Sequence, residues 1–409
     1  MTQSPSASAP LKSLIKGVYL PAILFETGIG AVIPIIPLSA MAMGASQATA
    51  AVMGALLGVG LILGDLPAGA LATRIGDRRA LIVASLVTIL AAGILVFADN
   101  LWLLAAGVLL MGATSSVAIL ARQSYLTEAT HPMRRARALS TLGGVYRIGL
   151  FLGPLLAAPL LYFGDFNLVF VLAAVTSGLT ALVVWLVPDI DVEGLGARAD
   201  GVKVSFLEVL KANKQVLMTL GLGVIAVGAI RGARQTVLPL WSEHIGLSPG
   251  ATAVIFGISS GVDMLLFYPS GKLMDRRGRM WVAIPFSLLM ALGFGLLPLS
   301  SEIILLSVAA MVLGLGNGMG SGIIMTLGAD IAPPQTRAKF LSFWRLLNDT
   351  GGAAGPLVVS GLAAVGSLAV GIWSMSLVSL GATGAFVRWL PRFSVHANRT
   401  TRRRANLIP

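Results

Sequence analysis

Residues 132–142 read PMRRARALSTL, and residues 334–344 read PQTRAKFLSFW. The two stretches align without a gap when the chain is shifted by 202 positions, the difference between 334 and 132. Repetition at one fixed offset is typical of a duplicated unit. The aligned positions that hold the same residue are Pro132 and Pro334, Arg135 and Arg337, Ala136 and Ala338, Leu139 and Leu341, and Ser140 and Ser342.

The same offset relates further patches along the chain. Two matching halves with an even number of membrane spans each would share one topology, as parallel repeats about an axis along the membrane normal do. The further matches are Gly149, Gly153 and Pro154 with Gly351, Gly355 and Pro356; Pro67, Gly69, Arg74 and Gly76 with Pro269, Gly271, Arg276 and Gly278; and Pro37 and Gly44 with Pro239 and Gly246.

The composition predicts an integral membrane protein and excludes a soluble enzyme. The 409 residues are 56% hydrophobic and 11% charged, with a mean hydropathy of +0.88. Soluble proteins carry roughly 25% charged residues. The chain has no cysteine and three scattered histidines, so thiolate chemistry is excluded and no metal site or other cofactor is expected.

Twelve apolar segments are long enough to cross a bilayer as helices of ~20 residues. The longest polar stretch, residues 188–213, divides them into two sets of six. We therefore predict an N-terminal six-helix bundle in residues 1–187, a cytoplasmic linker with a short interfacial helix in 188–213, and a C-terminal bundle with a basic cytoplasmic tail in 214–409. The predicted spans are 15–40, 49–73, 80–97, 101–125, 139–162, 168–187, 215–241, 250–274, 280–299, 302–328, 339–365 and 368–388.

Lysines and arginines set the predicted orientation, because cytoplasmic loops carry the positive excess. With the N-terminus inside, 24 of the 29 fall in cytoplasmic segments or at the cytoplasmic ends of spans, the other five fall deeper within spans, and none falls in an external loop. Both termini are therefore predicted to be cytoplasmic. The net charge of +12 follows this topology, so no nucleic-acid partner is expected.

The loop after the eighth span reads GKLMDRRGR over residues 271–279, which resembles the G-x-x-x-D-R-x-G-R signature of the major facilitator superfamily. The G-x-x-x-G-P motifs of the fifth and eleventh spans are similar to a motif of that superfamily's drug/proton antiporters. Two departures weaken the antiporter resemblance: Thr73 replaces the usual acid of the first-half loop, and Val108 occupies a position where those antiporters commonly place an arginine. The resemblance implies an all-α fold of two pseudo-symmetric six-helix bundles in the plasma (inner) membrane, acting as a monomer by alternating access.

Charge pairing predicts a gate in the two cytoplasmic loops, where short connections would let charges latch helix ends. Simple anchoring by the positive-inside effect is the alternative. The glycine and proline motifs predict a helix bend or close helix packing. The gate residues are Gly69, Arg74, Gly76, Arg78, Gly271, Asp275, Arg276, Gly278 and Arg279, and the bend residues are Gly149, Gly153, Pro154, Gly351, Gly355 and Pro356.

The interiors of every third span, namely spans 3, 6, 9 and 12, contain no charged residue, so these spans are predicted to face lipid. A charge at the centre of a membrane helix costs about 2.5 to 3.5 kcal/mol, so the remaining ones are candidates for proton coupling or substrate binding. These are Glu26, Asp65, Arg147, Arg231, Arg234, Asp263 and Asp349, and the polar cavity candidates are Tyr146, Gln235, Asn317, Trp344 and Asn348. The aromatic and amide groups are alternatively interhelical contacts.

Our leading hypothesis is that Glu26 carries the coupling proton or binds a cationic substrate, with Arg147 as its countercharge. Arg122 and Arg345 are expected to anchor near the cytoplasm. We expect a proton-driven exporter of small amphipathic molecules or drugs. The alternatives are a facilitator or symporter for organic anions, sugars or other metabolites, or a lysolipid transporter. An enzyme is disfavoured because no nucleophile and base can be paired.

Overall fold

The computed structural model describes residues 11–130, 135–162, 165–187, 206–333 and 336–406. Within these ranges, twelve long helical units follow one another, and the predicted all-α architecture is confirmed. Spans 1 to 6 are Leu20–Val32 with Ile35–Ala42, Gln47–Ile75, Asp77–Val96, Leu101–Ala129, Arg135–Tyr162 and Asn167–Leu186. Spans 7 to 12 are Lys214–His244, Pro249–Arg277, Met280–Leu296, Ile303–Met319 with Ile323–Ile331, Arg337–Val365 and Leu368–Phe393.

Eleven of these units, in the part of the chain that the structure describes, are long and apolar enough to cross a membrane. Span 11 is long enough at 29 residues but is more polar, since Arg345, Asn348 and Asp349 lie in its first half. A polar helix of this length is expected where it faces protein rather than lipid. The chain is a multi-pass membrane protein.

Two spans are interrupted. Span 1 follows a π-helical turn at Ile15–Tyr19 and breaks before Pro34, whose ring removes a backbone donor. Span 10 breaks between Met319 and Ile323, where Gly322 adopts a φ of +72°, a left-handed conformation that favours glycine. Span 4, its repeat counterpart, is one continuous helix. The break in span 10 is therefore specific to the second half.

The helices pack as two similar groups of six. In the first group, span 5 packs on span 1 and span 2 on span 4; in the second, span 11 packs on span 7 and span 8 on span 10. The two groups meet mainly where span 5 packs on span 8 and span 2 on span 11. The exact domain boundaries stay a prediction, because most of the linker lies outside the described residues; the short linker helix is Phe206–Ala212.

Among the helix pairs that pack extensively in the described chain, spans 3, 6, 9 and 12 pack only on spans of their own group. Their outer faces carry exposed large apolar side chains, as the absence of charge predicted. Examples are Leu86 and Leu90 of span 3, Leu179 and Leu182 of span 6, Leu288 and Leu292 of span 9, and Leu377 and Leu380 of span 12.

Hydrogen bonds join the two groups on one side of the membrane. Twelve crossings place both chain ends on the same side, called here the terminal side. On the opposite side, Gln47 bonds His244 at 2.9 Å, and Ser360 donates to the carbonyl oxygen of Ala48 at 2.8 Å. The groups thus close against each other on the side away from the termini.

The C-terminal segment, predicted only as a basic tail, packs against the loop between spans 8 and 9. The amide of Met280 donates to Ala397 at 3.0 Å. The helix Arg399–Arg404 then places the buried Arg402 where it donates to the carbonyl oxygens of Asp275, at 2.9 Å, and Met274, at 3.2 Å. This arginine therefore caps the C-terminal end of span 8.

Candidate substrate pathway between the two bundles

A basic centre lies where span 5 meets span 8. The Nε of Arg147 is 3.3 Å from Oδ1 of Asp263, and the Nη1 of Arg234 in span 7 is 3.9 Å from Oδ2 of the same carboxylate. The side-chain amide of Asn317, in span 10, also donates to Asp263. Three helices of the second bundle and one of the first therefore converge on a single buried carboxylate.

Arg231 extends this centre toward the break in span 10. Its guanidinium donates to the carbonyl oxygen of Gly320 at 2.7 Å and lies 5.3 Å from the ring of Phe286. Gly320 follows the last residue of the first half of span 10, so the arginine meets the negative end of that helix. The same carbonyl oxygen also accepts from the amide of Ile323 at 3.2 Å, within the turn that interrupts span 10.

An acidic centre lies at the other contact between the bundles, where span 2 meets span 11. Arg345 is 3.6 Å from Asp65 and 3.3 Å from Asp349. The side-chain amide of Asn348 donates to Asp349 at 3.1 Å, and Ser116 of span 4 donates to Asp65. Arg345, expected to anchor near the cytoplasm, instead joins the two bundles.

Glu26 is buried, but its predicted partner was wrong. Its carboxylate pairs with Arg122 of span 4 at 3.1 Å, whereas Arg147 pairs with Asp263. The prediction that Arg122 anchors near the cytoplasm was also wrong. An anchoring arginine extends its charge into water, whereas Arg122 is buried, with only 1% of its surface exposed. The Arg122 guanidinium lies 4.6 Å from the Phe25 ring and 5.9 Å from the Tyr146 ring. This ion pair joins spans 1 and 4 inside the first bundle.

The remaining polar candidates divide between the centres and the helix packing. Asn317 and Asn348 belong to the basic and acidic centres described above. Trp344 is buried, donates to the carbonyl oxygen of Ile324 at 2.8 Å and stacks on Phe340, so it joins spans 10 and 11. Gln235 is half-buried on span 7, one residue after Arg234.

The glycine motifs pack helices within each bundle. A Cβ at Gly153 would lie 2.4 Å from the backbone of Ala31, and one at Gly149 would lie 2.5 Å from Cβ of Glu26. In the second half, a Cβ at Gly351 or Gly355 would lie 2.0 Å from a carbonyl oxygen of span 7. Pro154 and Pro356 lie inside their helices. Close packing therefore accounts for the glycines at both sites.

The loop residues also act inside each bundle. Arg279 pairs with Asp330 of span 10 at 2.9 Å and with Asp275 at 3.2 Å. Burial lowers the pKa of the Arg279 guanidinium, but the hydrogen bonds and charges of these carboxylates more than offset this and raise the pKa above its usual value. In the first bundle, Arg78, one position after the residue that aligns with Arg279, donates to the carbonyl oxygens of Val184, at 3.0 Å, and Trp185 in span 6. Both arginines thus stabilise helix ends, as the predicted latch requires, but within a bundle.

The other loop residues have simpler environments. Arg74, Asp275, Arg276 and Arg277 are exposed, with the Arg277 guanidinium 5.1 Å from the Trp281 ring. Gly76 and Gly278 end spans 2 and 8 with φ values of 86° and 107°. Gly271 has no neighbour within 4 Å of an added Cβ, and Gly69 lies inside the helix of span 2. The first residues of the paired stretches, 132–134 and 334–335, fall outside the described residues, whereas Arg135 and Arg337 of the same stretches begin spans 5 and 11.

Sequence reasoning missed three participants: Arg122 as the partner of Glu26, Asp330 as the partner of Arg279, and Arg402 as the cap of span 8. Asp330 could have been found, because it is an acid near the end of a span on the side of the basic loop. Arg402 carried no comparable signal, since it lies in a run of similar residues.

The model of the Major Facilitator Superfamily matches residues 18–356 and 220–408, which together span nearly the whole chain. The chain belongs to the Major Facilitator Superfamily. It is therefore a membrane transporter, as the motifs predicted. Among curated relatives, the multidrug resistance protein MdtH of Edwardsiella ictaluri is 26% identical over 299 residues, covering 70% of each chain. The MdtH of an Enterobacter species is 27% identical over 298 residues, again covering 70% of each chain.

Solved structures confirm the fold. A transporter of the POT family, in complex with a thioalcohol-conjugated peptide, superposes with a TM-score of 0.76. The match covers 94% of this chain and 97% of that chain at 12% identity. At this identity the likeness supports the major facilitator fold only.

Proposed function

We propose that this chain exports small amphipathic molecules from the cytoplasm by alternating access, driven by the proton gradient. The observation that carries the proposal is that two ion pairs join the bundles, Arg147 with Asp263 and Arg345 with Asp65. Each joins a helix of one bundle to a helix of the other, so the bundles cannot separate there without breaking it. Substrate or protons that compete for these charges change the balance between the two access states.

Protons can act directly on the carboxylates of these pairs. A protonated aspartic acid no longer attracts its arginine as a charge, and loss of that attraction favours separation of the bundles. Asp65 and Asp263 are therefore the leading coupling groups. Asp349 shares Arg345 with Asp65, and Glu26 is the further candidate inside the first bundle.

Export as the direction, and drugs as the cargo, rest on the names of the relatives, which are multidrug resistance proteins. The positive-inside distribution of lysine and arginine supports cytoplasmic termini in a plasma (inner) membrane. With that orientation, the structure closes the bundles on the external side.

Gradient-driven dye movement in proteoliposomes tests the proposal. Purified protein is reconstituted, a pH gradient is imposed, and the movement of ethidium, a cationic aromatic dye, and of fluorescein, an anionic one, is followed by fluorescence. We expect at least one dye to accumulate against its own gradient, and the accumulation to stop when an ionophore dissipates the pH gradient. Movement of neither dye, or accumulation that ignores the pH gradient, would overturn proton-coupled export.

Variants then separate coupling from transport. We expect Asp263→Asn to lose gradient-driven accumulation while retaining exchange of dye across the membrane without a gradient. Arg388→Gln removes an exposed charge on span 12 and serves as the matched control. Unchanged pH-driven accumulation by Asp263→Asn would remove this carboxylate from the coupling role.

A further inference from the structure

The basic centre has more positive than negative charge. Three guanidinium groups, those of Arg147, Arg231 and Arg234, surround Asp263, the one carboxylate within ion-pair distance of any of them in the described residues. Arg231 has no carboxylate partner there, and donates to the carbonyl oxygen of Gly320 instead. Arginine keeps its charge at all physiological pH values, so the centre carries a formal excess of two positive charges.

The acidic centre has the opposite balance. Asp65 and Asp349 share the single guanidinium of Arg345. The two centres lie at the two contacts between the bundles, so each contact has its own sign of excess charge. The formal charges within the spans nearly cancel when they are summed. The structure shows that they are separated into a basic centre and an acidic centre.

Burial makes the excess in the basic centre costly. An unpaired charge in a poorly solvated site destabilises the protein, because it has lost its contact with water. The local polar groups supply only partial compensation: Ser259 accepts from Arg234 at 2.8 Å, and Gly320 and Gly143 offer carbonyl oxygens to Arg231 and Arg147. The Nε atoms of Arg231 and Arg234 are buried without a hydrogen-bond partner among the described residues. These two donors therefore have unused hydrogen-bonding capacity.

Aromatic rings line the same three guanidinium groups. Phe267 lies 5.1 Å from the guanidinium carbon of Arg147, Phe286 lies 5.3 Å from that of Arg231, and Phe256 lies 6.0 Å from that of Arg234. Apolar rings beside charged donors suit a ligand that joins an anionic group to an apolar body. A simple inorganic anion would use only the donors.

We propose that Arg147, Arg231 and Arg234 form a subsite for the anionic group of an amphipathic substrate, a carboxylate, sulfonate or phosphate attached to an apolar body. This inference names the cargo of the transport proposed above and rests on it. Guanidinium groups bind such oxyanions with paired hydrogen bonds. An anion bound here also competes with Asp263 for Arg147, so substrate binding weakens the ion pair between spans 5 and 8.

Binding to the purified protein tests the subsite without any gradient. The probes are 1-naphthaleneacetate, its neutral amide, and a naphthylmethyl trimethylammonium salt, which share one apolar body and differ in charge. Thermal unfolding and isothermal calorimetry report binding, since a ligand of the folded state stabilises it by mass action. We expect the carboxylate to bind at least about tenfold more tightly than the amide and the ammonium probe. Equal binding of the three probes, preference for the cation, or no binding of the carboxylate would overturn the proposal.

Variants assign the binding to these residues. Arg231→Gln is expected to weaken carboxylate binding about tenfold or more, and Arg231→Lys to restore part of it, while Arg388→Gln leaves it unchanged. Asp263→Asn is expected to tighten binding, because it frees Arg147, an effect that a purely structural role would not produce. Weaker binding by a well-folded Asp263→Asn would contradict the competition.

The outcome is separable from that of the proposed function. Selective carboxylate binding without gradient-driven transport would retain the subsite and reject proton-coupled export. Gradient-driven movement of ethidium with no carboxylate selectivity would retain the transport proposal and reject the anion subsite.

Discussion

The Nε of Arg147 in span 5 lies 3.3 Å from the carboxylate of Asp263 in span 8, across the contact between the two bundles. Arg345 of span 11 and Asp65 of span 2 form the second such pair at 3.6 Å. In each pair the arginine comes from span 5 or its counterpart, and the acid from span 2 or its counterpart.

The two pairs are shifted by about one helical turn relative to the repeat. At the offset of 202 residues, Arg147 aligns with Asp349, which is four residues from Arg345, and Asp263 aligns with Leu61, four residues from Asp65. Residues four apart share a helix face. Both halves thus place an arginine and an acid on equivalent helix faces, although the residues are not at aligned positions of the repeat.

Disulfide trapping tests the closed side of the structure. The chain has no cysteine, so a pair can be introduced without altering native thiols. Gln47 and His244 contact each other at 2.9 Å across the bundles, and we expect the variant Gln47→Cys/His244→Cys to form an internal disulfide on mild oxidation. Electrophoretic mobility measures the bond, and dye transport should stop when it forms and return on reduction.

The controls for trapping are the two single variants, each of which has only one cysteine. The single variants Gln47→Cys and His244→Cys should be insensitive to the oxidant. Full transport by the oxidised double variant would show that the contact at this end of spans 2 and 7 does not have to open.

A stability test concerns the pair of Glu26 and Arg122. Removing one partner of a buried ion pair typically costs about 3 to 5 kcal/mol, because the other charge is left uncompensated. We expect Arg122→Gln to lower the thermal unfolding temperature more than the double variant Glu26→Gln/Arg122→Gln, in which neither charge remains. Thermal unfolding in detergent measures both, and a double variant less stable than Arg122→Gln would argue against the pair.

The sequence was sufficient for the spans, the duplication and the lipid-facing helices, because each depends on apolar length, an offset or the absence of charge. The partners in the ion pairs could not be predicted from the sequence in the same way. Depth along a helix follows from counting residues, but the choice of partner depends on how helices rotate and which neighbours they meet. Glu26 and Arg122 are 96 residues apart, and Arg147 with Asp263 116 residues apart, so no local pattern links them.

The helix-packing role of the glycine motif can be tested in span 11. A Cβ at Gly355 would lie 2.0 Å from the carbonyl oxygen of Ala229, a backbone atom that cannot rotate away, whereas a Cβ at Gly361 would meet nothing within 4 Å. We expect Gly355→Ala to destabilise the protein by about 1 to 3 kcal/mol through overpacking, and Gly361→Ala to have a much smaller effect. Thermal unfolding of the two variants side by side measures the difference, and equal behaviour would contradict close packing of span 11 on span 7.

The docking of the C-terminal segment gives the last prediction. Arg402 donates to the carbonyl oxygens of Met274, Asp275 and Arg276 at the end of span 8, and that of Met274 also accepts from the amide of Gly278. Asp275 and Arg276 lie in the last turn, where carbonyl oxygens lack the amide donors that a continuing helix would supply. We expect Arg402→Gln to leave these acceptors unsatisfied, lower the unfolding temperature and speed trypsin cleavage within residues 399–404. Arg404→Gln removes an exposed arginine from the same helix and should preserve the unfolding temperature and protection of the remaining sites. Limited trypsin digestion followed by mass spectrometry measures the cleavage; equal rates in the two variants would mean that charge in the tail, rather than the cap on span 8, holds the segment in place.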